Sequence, residues 1–127
     1  MTRLLSVIAA GAAALAATGP ASAQDASAGE KVFLKCKVCH QIGDGAKNNV
    51  GPVLTGIVGR AAGTFPGYTY SDANKNSGLT WDEDTLTVYL KNPRAKIPGT
   101  KMTFPGLTSD DDIRNVIAYL KTFPAKS

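Results

Sequence analysis

The sequence predicts a small all-α domain with a helix at each end and a long irregular segment between them. Three observations predict it. Ile113, Val116, Ile117 and Leu120 recur at i, i+3, i+4 and i+7, which places one apolar stripe on a helix face. Ser27-Ala28-Gly29-Glu30 reads as a capping box ahead of Val32 and Phe33, the serine taking one orphan N–H and the glutamate reaching back. No alternating run of strand length appears, whereas the 13 glycines and 7 prolines crowd the middle of the chain.

Taken in order, residues 1–23 hold no acidic residue and a single charge, Arg3, before an apolar run from Leu4 to Ala17. A Gly19-Pro20 break and the small residues Ala21-Ser22-Ala23 follow, the layout of an export signal cleaved after Ala23. A membrane anchor is the competing reading, but a spanning helix needs about 20 apolar residues, and this run is shorter and ends in helix breakers. Residues 24–127 then form one working domain. The capping box starts a first helix that ends near His40. From Gln41 to Tyr70 glycine and proline are too dense for regular elements, and so long an irregular loop in a small domain points to a packed ligand or to disorder. Ser71 to Ser77 reads as a short helix stopped by Gly78. Thr80-Trp81-Asp82-Glu83 is a second capping box, with Leu86, Tyr89 and Leu90 at helical spacing until Pro93 ends the element. Lys91 to Gly106 is read as turns. The terminal helix is capped by Thr108 or Ser109, and Asp110, Asp111 and Asp112 suit its positive end.

With 127 residues and a formal charge of +4, the chain excludes a multi-domain enzyme. It also lacks the dense basic stripe of a nucleic-acid binder.

Both cysteines and the single histidine fall in Cys36-Lys37-Val38-Cys39-His40, the attachment signature of c-type haem. Two thiols separated by two residues at a helix end can form thioethers to the two vinyl groups, and the next side chain reaches the iron. Three other uses compete. A redox-active disulfide belongs to a βαβ setting that this sequence lacks. Zinc needs four ligands where only three Cys and His exist. A structural disulfide leaves the histidine incidental. For the second axial position no other histidine is available, and after loss of Met1 the one methionine is Met102. Its thioether is a soft ligand that favours ferrous iron, and its Pro/Gly-rich setting argues against a core-filling role.

The chain resembles class I, mitochondrial-type cytochrome c and its soluble bacterial periplasmic homologues. Beyond the haem motif the match includes Gly51-Pro52, Gly59-Arg60, Gly67-Tyr68-Thr69-Tyr70-Ser71, Asn74, Gly78-Leu79-Thr80-Trp81, Tyr89-Leu90, Asn92-Pro93, Pro98-Gly99-Thr100-Lys101-Met102 and Ile117-Ala118-Tyr119-Leu120-Lys121. The resemblance implies N- and C-terminal helices packed together, with loops and short helices wrapping one covalently bound haem c. It implies that the Pro52 carbonyl accepts from His40. It implies that Arg60, Tyr70, Ser71, Asn74 and Trp81 bond or neutralise buried propionates. Tyr89 and Thr100 match positions that hydrogen-bond around the methionine sulfur and an internal water. The interval from Phe33 to Cys36 is one residue shorter than in the mitochondrial form, which bears on the packing of the first helix. Tyr119 reads as an ordinary core aromatic facing that helix.

The implied function is a periplasmic one-electron carrier that transforms no substrate. Lys35, Lys37, Lys47, Lys91, Arg94, Lys96 and Lys101 lie near the two ligand segments in sequence and are expected to ring the exposed haem edge, steering acidic partners. The expected partners are membrane or periplasmic redox proteins with acidic docking faces, such as a bc1-type complex as donor and an oxidase, reaction centre or dehydrogenase. The chain is expected to act as a monomer and to bind no nucleic acid. Peroxidase-like or ligand-sensing haem chemistry is the enzyme alternative, and it requires Met102 to detach. Thiol–disulfide exchange by a haem-free protein is the third.

Overall fold

Asp25, in an extended conformation, opens the first helix, α1 (Ala26–Phe33), and its carboxylate accepts from the N–H groups of Ser27 at 2.9 Å and Ala28 at 3.2 Å. The structure, a computed structural model, describes Gly11 and residues 24–126; the expected export signal lies outside the described residues, apart from Gly11. The cap is thus Asp25, not Ser27: Gly29 N already donates to Asp25 O, so Ser27 lies inside the first turn. The helix is also shorter than expected. After Phe33 the bonds tighten to i→i−3, from Leu34 N to Lys31 O and from Lys35 N to Val32 O, and a run of turns carries the chain to His40.

The loop from Gln41 to Tyr70 contains no helix or extended strand, as its glycine punctuation predicts. It is followed by α2 (Asp72–Lys75), capped by Ser71, whose Oγ accepts from Asn74 N at 3.1 Å. The next helix, α3 (Glu83–Lys91), starts two residues later than the capping-box reading allows, with Asp82 accepting from Thr85 N at 2.7 Å. Thr80 and Trp81 are unavailable to it because they lie extended against the loop. Trp81 N donates to Arg60 O, Gly59 N to Trp81 O and Ala62 N to Leu79 O, each at 2.8 Å, around a single Ala61–Thr80 bridge.

Pro93 ends α3 as expected but also begins a helix where turns were expected, α4 (Pro93–Lys96), capped by Asn92 through Ala95 N at 3.2 Å. Proline lacks the N–H that would continue α3, and its fixed φ suits a first helical position. The last helix, α5 (Asp110–Lys121), takes Ser109 as its cap, accepting from Asp112 N at 3.2 Å.

α1 and α5 cross in near-backbone contact, and Gly29 is the reason they can. A Cβ at Gly29 would lie 1.9 Å from the Asn115 carbonyl oxygen and 2.9 Å from Tyr119 Cβ, so any larger residue separates the helices. Asp25 N donates to Asn115 Oδ1 at 3.0 Å across the same junction. Phe33, fully buried, meets the Tyr119 ring at 5.3 Å between centroids. Tyr119 therefore faces α1 as the sequence suggested. Ile113, Val116, Ile117 and Leu120 form the buried face of α5 and share one core with Leu86, Tyr89 and Leu90 of α3. That core makes the scaffold from which the loops hang.

Candidate functional site

The loops and helices enclose an apolar cleft with about 1230 Å³ of empty space, counted out to its open edge. Cys36, Cys39, His40 and Met102 all reach it, the first three from the turns after α1 and the last from the loop after α4. One helical turn holds the motif together: Cys39 N and His40 N both donate to Cys36 O, at 3.1 and 2.9 Å. The two thiols are free. Burial, reinforced by the neighbouring Cys39, pushes the Cys36 thiol up to about 11. It is therefore a protonated thiol at neutral pH, the reverse of the activated thiolate that disulfide exchange needs.

His40 is fixed through its Nδ1, which lies 2.7 Å from the Pro52 carbonyl. The carbonyl can only accept, so Nδ1 carries the hydrogen and Nε2 is left with its lone pair. Burial, partly opposed by that bond, holds the imidazole below its ordinary pKa. Gly51 presses its backbone on the ring. A Cβ there would fall 2.3 Å from His40 Cε1, so the orientation of the imidazole depends on glycine at that position. Gly51 N in turn donates to Cys39 O at 2.8 Å.

On the methionine side, the Tyr89 hydroxyl donates to Met102 Sδ at 3.1 Å, and Met102 N donates to Thr100 Oγ1 at 3.2 Å. A thioether has two lone pairs; Tyr89 engages one and the other remains for a metal. Burial raises the Tyr89 pKa, so its hydroxyl stays a donor.

Arg60, Tyr70, Ser71, Asn74 and Trp81 also line the cleft. The Arg60 guanidinium donates to Val53 O at 3.0 Å and Thr55 O at 2.6 Å and stacks 4.8 Å from the Phe65 ring centroid. Tyr70 OH accepts from Phe65 N at 3.1 Å and Ser71 Oγ from Asn74 N, so each hydroxyl keeps its own hydrogen to donate. The informative atom is Asn74 Oδ1, buried and without a partner among the described residues. An orphaned buried amide is costly, and a half-turn of the group presents its N–H₂ instead. A polar ligand group beside Asn74 removes that cost. With an apolar cleft, two thiols at the right spacing and two neutral iron ligands, the residues present fit haem c.

The basic residues divide. Lys35, Lys37, Lys47 and Arg94 are exposed. Lys91 is paired with Asp110 at 3.0 Å, and Lys96 lies close enough to Asp82 to help hold its carboxyl low, so both serve helix starts. Of the seven, Lys101 alone lines the cleft, and its Nζ donates to Thr69 O. Sequence reasoning overlooked Val38 and Val50, which are 76% and 68% exposed, and gave Tyr68 no role. Val50 and Tyr68 line the cleft, and Val38 stands between the two cysteines. Unmatched hydrophobics beside a ligand motif were the available signal.

Several known proteins resemble this chain. A family model described as cytochrome c matches residues 26–124. Cytochrome c2 of Blastochloris viridis is 56% identical over 110 residues, 87% of each chain. Cytochrome c2 of Rhodoblastus acidophilus is 60% identical over 103 residues, 81% of this chain and 96% of that one. Among solved structures, cytochrome cH from Methylobacterium extorquens superposes with a TM-score of 0.73 at 52% identity, over 77% of this chain and 98% of that one. Cytochrome c2 from Rhodospirillum centenum gives 0.76 at 39% identity, over 80% and 99%.

Proposed function

The chain belongs to the cytochrome c family, and from that premise we propose that it carries single electrons between redox proteins, with Cys36 and Cys39 as covalent anchors and His40 and Met102 as axial ligands of one haem c. The observation that carries this assignment is the convergence of these four side chains on one apolar cleft. When bound, haem c supplies a reversible one-electron Fe(III)/Fe(II) couple.

The protein's own residues do the rest. Cys36 and Cys39 would hold the haem through thioether bonds to its vinyl groups. Pro52 holds the His40 ring so that Nε2 stays the donor atom and gains basicity. Met102 contributes a soft sulfur that favours the ferrous state, and Tyr89 holds that sulfur in place. Leu107 and Leu120 give the cleft an apolar wall, which keeps water from the ligands and the surrounding dielectric low. Arg60, Tyr70, Ser71, Asn74 and Trp81 supply polar groups for the propionates, and among the described residues Asn74 Oδ1 is buried without a partner.

The protein works as a monomer exported to the periplasm, its leader cut after Ala23; Arg3, the apolar run and Ala21-Ser22-Ala23 support the export and the cut. Among the described residues no helix is long and apolar enough to cross a membrane. Its partners are redox proteins with acidic docking faces, a bc1-type complex as donor and an oxidase, reaction centre or dehydrogenase as partner, met by the exposed Lys35, Lys37, Lys47 and Arg94. The test is carbon monoxide binding by the reduced protein. A carrier with both axial positions filled binds it slowly and incompletely; rapid stoichiometric binding would assign the protein to ligand-binding haem chemistry instead.

A further inference from the structure

The stretch after α5 folds back on the loop that follows His40. Phe123 N donates to Leu120 O at 3.1 Å as the helix closes, and the Phe123 carbonyl accepts from Gly56 N at 2.7 Å. The Phe123 ring meets Tyr119 edge-on, 5.1 Å between centroids. The same ring lies over Gly43, where a Cβ would stand 3.3 Å from it. Ala125 takes the space beside Gly56, where a Cβ would fall 2.7 Å from the Ala125 Cα. Both glycines have positive φ, 94° at Gly43 and 74° at Gly56, so the loop meets this stretch with two residues that carry no side chain.

Gly43 and Gly56 stand at the base of the loop. Gly43 N donates to Thr55 Oγ1 at 2.8 Å and Leu54 N to Gln41 O at 3.0 Å, which joins the two arms there. Pro52 lies between the arms, its carbonyl 2.7 Å from His40 Nδ1. One flank of the loop is not packed on the core. Val53, Thr55 and Gly56 border a second cavity with about 1050 Å³ of empty space, counted out to its open edge, and Ala125 and Lys126 border it too. The ion pair from Lys126 to Asp44 at 2.8 Å is exposed on both sides and contributes little. The backbone bond, the ring and the two glycines therefore make the seat. Phe123, Ala125 and Lys126 do not line the haem cleft, so any effect they have on His40 passes through the loop.

We propose that residues 122–126 form a strap, with Phe123 as its positioning residue, that fixes the base of the loop and so holds the Pro52 carbonyl on His40. The inference deepens the haem-site reading above and rests on it. A loosened strap lets the arms shift, the Nδ1–H bond opens more often, and the imidazole becomes a poorer donor.

The test is proton NMR of the holoprotein, following exchange of the His40 Nδ1 hydrogen with solvent, together with the midpoint potential. Phe123→Ala is expected to speed that exchange by about five- to tenfold, the factor for a loss comparable to one hydrogen bond. The potential rises, since a poorer donor stabilises ferric iron less. Exchange of the α3 amides stays at the parent rate. Phe123→Leu keeps an apolar group on Gly43 and stays near the parent, and Lys126→Ala, which removes only the exposed pair, changes neither reading. The strap is overturned if Phe123→Ala leaves the Nδ1 hydrogen at the parent rate, if the α3 amides speed up by the same factor, or if Lys126→Ala has an equal effect. The parent separates the two readings. In the ferric protein an iron-bound His40 has ring resonances displaced far outside the usual range, and if they are not displaced the haem-site reading fails and the strap with it. Displaced resonances with unchanged exchange in Phe123→Ala overturn the strap alone.

Discussion

Tyr89 illustrates how a single buried hydroxyl tunes the site. It is 7% exposed and its hydrogen bond to Met102 Sδ draws electron density from the sulfur proposed as a ligand. In Tyr89→Phe the sulfur becomes the better donor, which favours ferric iron, so the midpoint potential is expected to fall by tens of millivolts, on the order expected for loss of one hydrogen bond. Potentiometry checks this, and an unchanged or raised potential contradicts the role. At this scale much was legible in the sequence. Cys36, Cys39 and His40 declare themselves by spacing, and Met102 by being the one methionine left. The engagement of Lys101 with Thr69 and Tyr68 was not legible, because a contact between residues 32 apart leaves no mark on local periodicity.

Among elements, the α1–α5 junction bears the fold and depends on one missing side chain. Gly29→Val places branched carbon where a Cβ is already 1.9 Å from the Asn115 carbonyl oxygen, and backbone atoms cannot step aside as a flexible side chain can. The expected loss is about 3 kcal/mol or more in denaturant unfolding of the holoprotein, and a variant as stable as the parent contradicts the crossing. The period of α5 was readable because four apolar residues fall on one face. The starts of α1 and α3 were misplaced by two residues each because several Ser, Thr and Asp compete for a cap. Only tertiary pairing decides among them: Thr80 and Trp81 are held by the Arg60 segment, leaving Asp82 as the cap. The helix after Asn92 was hidden because Pro93 both stops one helix and starts another.

Across the whole molecule, several exposed carboxylates add a small stabilising contribution, lost on the acid side. Thr85 N holds Asp82 below the usual range, Lys121 does so for Glu83, and Lys91 for Asp110. Each folded pKa is lower than the unfolded value. Their contribution is therefore complete above the ordinary carboxylate pKa of about 4 and lost as pH falls through the depressed folded values. Denaturation midpoints measured downward from neutral pH are expected to fall on the acid side, and less steeply in Asp82→Asn, which keeps a capping oxygen without titrating. Equal slopes would remove Asp82 from the account. Charge also governs encounter: Lys37→Glu is expected to slow reaction with an acidic redox partner more than Lys91→Glu, since Lys91 is already paired with Asp110, and added salt should narrow the gap. Stopped-flow kinetics across a salt series tests this, and equal slowing would place the docking face elsewhere.

All three scales rest on the proposal that His40 and Met102, which line the same cleft, hold one metal. The most direct measurement is the near-infrared spectrum of the ferric holoprotein beside Met102→Ala. A weak methionine–iron band in the parent, lost in the variant while haem stays covalently attached through Cys36 and Cys39, is the predicted result. A parent without that band, or a variant that retains it, would contradict the assignment of Met102 as the sixth ligand.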